Sequence, residues 1–188
     1  MTALVWREGH DAVAATLSVW NTESPSTSSV TMTVDPDNQD RVHGVFTPAI
    51  PGRWFFRVDA WSDPMATWRN AVTKKMEAGQ SARELNNDLL HGAELFEEAA
   101  IQSPSDKAEL LFEASKALRD EQGDVDKRVR TALSDEVAEI LHHHPLRHLL
   151  VEGEIHEVLV DRRDALFNSW YELFPRSTGG WDLSLIHI

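Results

Sequence analysis

The densest group of side chains able to bind a metal is the run His142–His144, followed by His148. A zinc site needs imidazoles that converge on one point, and on a helix this requires a spacing of about four residues. Consecutive residues on a helix point about 100° apart, so the three adjacent rings cannot converge. His144 and His148 have the required spacing, but Pro145 interrupts a helix between them. Because histidines at a helix C-terminus are also favoured by the helix dipole, we predict no metal site here.

The tryptophans are the second candidate, since the chain has seven of them and a single tyrosine. Exposed aromatic rings can stack on sugar faces, and an exposed row would indicate a carbohydrate-binding module. Trp54, Trp68 and Trp170 lie on stripes whose other members are apolar, which favours a place in a hydrophobic core. The tryptophans on mixed stripes leave both interpretations open: Trp20, Trp61 and Trp181.

Acidic residues outnumber basic ones by 31 to 18, so carboxylate pairs occur throughout the chain. A glycosidase needs two carboxylates on either side of a substrate cleft. The acidic residues on predicted polar helix faces are better interpreted as solvated: Glu97, Glu98, Glu109, Glu113, Asp124 and Asp126. Arg162, Arg163 and Arg176 could hold a phosphate, but ion pairing with the acidic excess is favoured. No nucleophile elbow, phosphate-binding loop, dinucleotide fingerprint or H-E-x-x-H motif is present, so we assign no catalytic, substrate-binding or metal residue and no cofactor.

The net charge of −13 argues against a nucleic-acid partner and against binding to anionic membranes, because both require clustered Lys and Arg. The absence of cysteine rules out disulfides and thiolate zinc sites. The first residues lack the basic start and apolar core of a signal peptide, and no apolar run reaches the roughly 18 residues of a membrane span. We therefore expect a cytoplasmic location.

The first third of the chain has the alternating pattern of β-strands. Apolar residues recur at every second position in 13–19, 30–34 and 54–61, which places one face of each strand in a core. Glu8–Asp11 is predicted as a hairpin connection in which Gly9 takes a positive φ. Short strands separated by turn signals are typical of a β-sandwich.

The pattern changes to a helical one at Asp63–Pro64, where Asp63 can cap a helix whose first residue is proline. Further start signals are a capping box at Ser81–Glu84 and a proline at Pro104. A fourth helix follows Gly123, and its apolar stripe runs without a break from Val125 to Ile140. Four amphipathic helices with short links predict an antiparallel bundle.

The strand pattern returns at about Leu149, with Ile155, Val158 and Val160 as its apolar members. The run from Leu166 to Phe174 is apolar on both faces, which predicts a strand covered on both sides. Trp170 is its central core residue. Pairing should stop at Pro175, since proline has no N–H for a ladder.

These patterns predict an α+β fold in which an immunoglobulin-like antiparallel β-sandwich carries an inserted four-helix bundle. The sandwich would consist of residues 1–63 and 149–177, the bundle of residues 64–148, and the tail of residues 178–188. Periodicity alone also allows two sequential domains. The apolar end, Leu183–Ile188, matches nothing upstream, and we interpret it as foreign sequence.

Three strings of unusual composition suggest a family. They are R-E-G-H-D-A-V-A at Arg7–Ala14, W-S-D-P-M-A-T-W-R at Trp61–Arg69, and F-N-S-W-Y-E-L-F-P-R-S-T-G-G at Phe167–Gly180. As a set they resemble the N-terminal region of the bacterial maltosyltransferases that extend α-glucans from maltose 1-phosphate, a branch of the α-amylase superfamily. The resemblance extends from about Val5 to Asp182.

The resemblance implies a retaining enzyme that moves maltosyl from maltose 1-phosphate to the non-reducing end of an α-1,4-glucan. Its catalytic carboxylates and both substrate sites would lie in a barrel that begins after Tyr171–Ser177, so none is matched here. It also implies that strands before Leu4 are missing. The sandwich and bundle would then support the barrel and form a homodimer, and the chain alone would be inactive. A stand-alone glucan-binding module and a helical protein-interaction domain remain as alternatives.

Overall fold

A computed structural model describes residues 1–23 and 26–167, and in this part of the chain it shows two antiparallel sheets and five α-helices. The strands are β1 (Thr2–Leu4), β2 (Val13–Asn21), β3 (Ser28–Thr31), β4 (Thr33–Asp35), β5 (Asn38–His43), β6 (Gly52–Ser62), β7 (His148–Glu152) and β8 (His156–Val160). The helices are α1 (Pro64–Glu77), α2 (Asn86–Gln102), α3 (Ser105–Leu118), α4 (Val125–Val129) and α5 (Asp135–His143), and a 3-10 helix follows at Arg163–Leu166.

The larger sheet joins strands from both ends of the described chain. Its order is β3-β2-β6, and β7 and β8 both pair with the other edge of β6. Both strands run antiparallel to β6. β7 pairs with the end of β6, beginning at Ser62↔His148, and β8 pairs with its start, ending at Gly52↔Val160. Together they form one interrupted strand along β6. Strands that precede the helices therefore pair with strands that follow them, and the predicted α+β class is confirmed.

The smaller sheet has the order β1-β5-β4, and it shares a hydrophobic core with the larger one. Alternation decides which side chains enter this core: Ala15, Leu17 and Val19 of β2 are almost completely buried. The buried members of the cluster are Val5, Ala15, Leu17, Val19, Met32, Val42 and Trp54. Burying each leucine or valine of this kind stabilises a fold by about 1.5–3 kcal/mol.

A second hydrophobic core lies between the helices. Asp63 accepts a hydrogen bond from the Ala66 amide at 2.8 Å, and Pro64 is the first helical residue, so the predicted start of α1 is confirmed. The indole of Trp68 meets the ring of Phe96 edge-on, with centroids 5.6 Å apart, which ties α1 to α2. The largest fully buried members of this core are Val72, Leu85, Leu89, Phe96, Leu111, Leu118, Val137 and Leu146.

The helical region differs from the prediction in two places. The fourth predicted helix is divided into α4 and α5, because the Ser134 hydroxyl accepts from the Val137 amide and starts a new helix. The described region thus has five α-helices instead of four. Glu84 accepts from the amide and hydroxyl of Ser81, but α2 begins only at Asn86, so the capping box stabilises the turn before the helix.

Two strand predictions are also corrected. Gly9 has φ +109°, as expected, but β1 and β2 belong to different sheets, so Glu8–Asp11 crosses between sheets and closes no hairpin. Leu166 ends a 3-10 helix, and Leu166 and Phe167 are 84% and 80% exposed, so the start of the predicted buried strand is wrong. The predictions that lie outside the described residues concern Trp170, Tyr171, Phe174, Pro175, Arg176 and Trp181. Within the described ranges, no helix is long and apolar enough to span a bilayer.

Candidate functional site

Two of the three unusual strings meet where the larger sheet joins the helices. Arg7 of the first string donates from Nη1 to the Ser62 hydroxyl of the second at 2.7 Å. The same guanidinium nitrogen lies 3.3 Å from an Asp11 carboxylate oxygen. The arginine therefore links the segment after β1 to the last residue of β6.

Backbone and hydroxyl groups form a second link at the same place. The Asp63 amide donates to the Ala12 carbonyl at 2.8 Å, and the Ala12 amide donates to the Thr67 hydroxyl at 2.8 Å. The Thr67 hydroxyl in turn donates to the Asp63 carbonyl at 2.9 Å. These three bonds fix the direction in which α1 leaves the sheet.

The Asp63 carboxylate is the most perturbed acid of this junction. Burial raises its pKa, and the hydrogen bonds from the Ala66 and Met65 amides lower it by less, so the net shift is upward. Desolvating an ionised carboxylate costs free energy, and the hydrogen bonds of the helix cap offset part of this cost. Its oxygens are already used at the helix N-terminus, so its role is to start α1.

A cavity of about 710 Å³ opens beside this junction, between the end of β6 and helices α1 and α2. Trp68 and Leu95 form apolar parts of its wall, and six ionisable side chains are among the other residues that line it. The charged and ionisable residues of the lining include Arg7, Asp11, Asp88, Arg147 and His148.

The ionisable groups of the cavity are engaged with partners in the described part of the chain. Asp88 pairs with Lys75 at 2.7 Å, and His148 Nε2 lies 3.0 Å from Glu98. Arg147 lies over the Trp61 ring, 5.2 Å from its centroid, in the geometry of a cation–π contact. A set that is paired in this way holds helices and sheet together, and it presents no nucleophile with an adjacent base.

The structure does not bring the four predicted histidines together. His142 and His143 lie at the end of α5 with ring centroids 5.3 Å apart, and the His144 amide donates to the Ile140 carbonyl. His148 lies at the start of β7 and faces Glu98. Among the residues described, no three His, Asp or Glu side chains are arranged to hold a metal ion.

Three of the five tryptophans in the described part of the chain are core residues. Trp54 and Trp68 are 8% and 4% exposed, which confirms their predicted place in the two cores, and Trp61 is 4% exposed. Trp20 stacks on Phe55 with centroids 6.1 Å apart. Trp6, which the sequence patterns did not single out, is 69% exposed, and it is the single exposed tryptophan among the described residues. An exposed row of tryptophans is therefore not found in residues 1–23 and 26–167.

Two of the acidic residues considered as possible catalytic groups make structural hydrogen bonds instead. Glu97 accepts from Ser115 and Arg119, and Asp124 caps α4 by accepting from the Lys127 amide. Glu109 and Glu113 are exposed on α3, as the solvated interpretation predicts. Arg162 precedes the 3-10 helix and Arg163 is its first residue; both are exposed, and no ion pair involving either of them occurs in the described region.

Sequence reasoning missed a polar network on the face of the larger sheet that points away from its core. The Ser18 hydroxyl donates to Asp59, and Arg57 bridges Asp59 and Glu152. Desolvation lowers the pKa of Arg57, but its bonds to the two carboxylates outweigh this and raise it. The residues come from β2, β6 and β7, so no local spacing could have signalled the network.

Comparison with known proteins gives one consistent family. A family model described as "Alpha-1,4-glucan:maltose-1-phosphate maltosyltransferase, domain N/S" matches residues 1–162. Relatives named alpha-1,4-glucan:maltose-1-phosphate maltosyltransferase include that of Corynebacterium glutamicum, 53% identical over 98% of this chain and 28% of its own length. The one from Corynebacterium pseudotuberculosis is 54% identical over 97% and 27%. The one from Mycolicibacterium smegmatis is 48% identical over 96% and 29%.

The matches run through the strings at Arg7–Ala14 and Trp61–Arg69 that form the junction. The chain spans little more than a quarter of the length of these relatives. It belongs to the α-1,4-glucan:maltose-1-phosphate maltosyltransferase family and corresponds to the N/S domain of its members.

Proposed function

We propose that this chain is the N-terminal, non-catalytic region of a retaining maltosyltransferase. The whole enzyme would transfer maltosyl from maltose 1-phosphate to the non-reducing end of an α-1,4-glucan in the cytoplasm. The observation that carries this proposal is the match of residues 1–162 to the N/S domain of that family. The catalytic carboxylates and both substrate sites would lie in the part of the enzyme that corresponds to the rest of the relatives' length.

The region would be one β-sandwich, residues 1–63 and 149–177, with an inserted helical bundle at residues 64–148. The shared core of the two sheets supports the sandwich. The pairing of β7 with β6 supports the insertion, because the chain leaves β6 for the helices and returns to the same strand. The junction around Arg7, Ser62 and Thr67 would then hold the insert at a fixed angle to the sandwich.

The ion pairing of the carboxylates at the junction cavity supports a non-catalytic role for this region. A retaining glycosyl-transferring site needs two carboxyl groups about 5–5.5 Å apart on either side of the scissile bond. At the junction cavity Asp11 pairs with Arg7, and Asp88 pairs with Lys75. Both carboxylates therefore already have structural partners, and these pairs link neighbouring segments of the chain.

Exposed apolar side chains support a role in assembly. Ile101 and Phe112 are 77% and 46% exposed beside a shallow depression between α2 and α3, and Leu159 is 71% exposed on β8. Apolar surface of this kind is usually covered by another domain or subunit. We propose that the barrel and a second copy of the enzyme cover these faces.

The decisive experiment measures phosphate release from maltose 1-phosphate in the presence of an α-1,4-glucan. The purified chain should release none, whereas the full-length Corynebacterium glutamicum relative serves as the positive control. A relative from which the region corresponding to residues 1–162 has been deleted should be inactive or insoluble. Turnover by the chain alone would refute the non-catalytic role, and full activity of the deleted relative would refute the supporting role.

A further inference from the structure

β7 contains one extra residue where it begins to pair with the end of β6. Ser62 pairs with His148. The next pair is Ala60 with Val151, so β7 advances by three residues while β6 advances by two. This is the arrangement of a β-bulge, which bends a strand and redirects a side chain, and bulges are frequent beside functional sites. The bulge falls directly after His148, at the edge of the junction cavity.

Leu149 lies in this bulge with a backbone conformation that disfavours a side chain. Its φ is +52°, and among the described residues it is the single non-glycine residue with a positive φ. In this region the Cβ atom crowds the following carbonyl oxygen. Strained residues of this kind cluster at ligand-binding sites, because the surrounding structure has to hold them in place. Leu149 lines the junction cavity, so the strain and the cavity occur together.

The junction cavity has the size and the position of a small-molecule site. Its volume is about 710 Å³, and ligand pockets are usually roughly 300–1,000 Å³ and frequently lie between structural units. This cavity lies between the larger sheet and helices α1 and α2. Leu149 is 71% exposed there, so it offers an apolar surface that a ligand can cover.

The carboxylates at the cavity are compensated by cations, which favours a ligand without net charge. Asp11 lies 3.3 Å from Arg7, and Asp88 lies 2.7 Å from Lys75. A charged ligand would have to compete with one member of such a pair. The paired groups nevertheless keep hydrogen-bonding capacity, because a carboxylate can accept several hydrogen bonds and a guanidinium can donate several. Ligand hydroxyl groups can use this remaining capacity.

Two further side chains of the lining add hydrogen-bonding groups. His91 Nδ1 lies 3.9 Å from Glu94, which is too long for a hydrogen bond, so its ring nitrogens are accessible to a ligand. Arg147 is held over the Trp61 ring, and no ion pair in the described part of the chain uses its N–H groups. The cavity thus combines an apolar surface with donors and acceptors, which matches the C–H face and the hydroxyl groups of a sugar.

We propose that the junction cavity binds a short α-1,4-linked glucose oligomer, with its C–H face on Leu149 and its hydroxyl groups on His91 and the paired carboxylates. The uncharged, polyhydroxylated character of the ligand follows from the cavity. The choice of an α-1,4-glucan among such ligands rests on the proposed function.

Isothermal titration calorimetry of this chain with maltotriose tests the proposal. The titration should show saturable binding at one site. Cellotriose is the matched control ligand, because it has the same composition with β-1,4 links and therefore a different shape. It should bind at least about tenfold more weakly.

A cavity-filling substitution locates the binding site. Ala71 lines the cavity from α1, so Ala71→Phe should place a ring in the space of the ligand and weaken maltotriose binding at least about tenfold. Lys74→Phe adds a ring to the exposed surface of the same helix, outside the cavity, and should bind like the parent. His91→Ala adds no volume and should weaken binding about five- to tenfold through the loss of a hydrogen bond. It decides the question if Ala71→Phe does not fold.

Three results would overturn the proposal. The first is the absence of saturable maltotriose binding by the parent. The second is unchanged affinity in both Ala71→Phe and His91→Ala, which would place the binding elsewhere. The third is equal affinity for cellotriose, which would remove the α-1,4-glucan as the ligand. The phosphate-release measurement does not involve this cavity, so a failure here leaves the proposed function intact.

Discussion

Gly92 of α2 lies directly against the indole of Trp68 of α1, so that a Cβ at Gly92 would be 2.3 Å from Trp68 Cε2. The same indole donates from Nε1 to the Asp88 carbonyl at 2.7 Å, one turn earlier in α2. The ring of Phe96 also packs edge-on against this indole. The glycine is thus required by the close approach of the two helices, although it weakens α2 locally.

Gly92→Ala should destabilise the protein by about 1–3 kcal/mol, because the added methyl group displaces a buried indole that is held on three sides. Urea unfolding measures the loss. Glu94→Ala on the exposed face of the same helix is the control and should remain within about 0.5 kcal/mol of the parent. An unchanged midpoint for Gly92→Ala would show that α1 and α2 are further apart.

Gly153→Ala should loosen β7 and β8 from β6. A Cβ at Gly153 would lie 2.3 Å from the Val58 carbonyl oxygen, and a backbone atom within a sheet cannot move aside cheaply. We expect a loss of about 1–3 kcal/mol together with faster amide exchange in 148–160. The neighbouring exposed residue supplies the control Glu154→Ala, which should show neither change.

Asp63→Ala should cost about 0.5–2 kcal/mol, since it removes the side chain that caps α1 at the junction. Asp63→Ser keeps an acceptor for the Ala66 amide and should restore most of the loss. Differential scanning calorimetry of the three proteins makes the comparison. If Asp63→Ala and Asp63→Ser lost the same stability, the carboxylate would stabilise the protein by a contact other than the helix cap.

The pairing of Glu84 with Ser81 should give a pH-dependent contribution to stability. The Ser81 hydroxyl and amide lower the pKa of Glu84 below its ordinary value of 4.5, so the folded state binds fewer protons than the unfolded state. The contribution is therefore complete above pH 4.5 and is lost as the pH falls through the lowered pKa. The difference in unfolding free energy between the parent and Glu84→Gln should become smaller as the pH falls from 4.5 through the lowered pKa of Glu84. A difference that is constant with pH would contradict this.

Local signals explain what could be predicted about the helices and strands. The cap and proline at Asp63–Pro64 act within one turn, so the start of α1 could be predicted from sequence. The alternation in β2 and β6 likewise identified residues of the core, including Trp54. The local pattern gave a wrong prediction at Val125–Ile140. A continuous apolar stripe predicted one helix there, whereas the structure starts a new helix at Ser134.

The candidate site was predicted less well than the elements around it. The histidines and carboxylates drew attention because of their residue types, whereas the junction uses Arg7, Ser62 and Thr67. These residues come together only after β6, the segment before β2 and α1 have taken their places. A hydrogen bond across 55 residues leaves no periodic trace in the sequence.

The sequence by itself determined the family, the α+β class and the change from strands to helices at Asp63, because motifs, caps and periodicity are local properties. Only the tertiary structure decided that β1 and β2 belong to different sheets, that β7 and β8 form one strand along β6, and that Gly92 admits the Trp68 ring. Strand partners and helix contacts depend on where distant segments can bury apolar surface together, and that is a property of the folded chain as a whole.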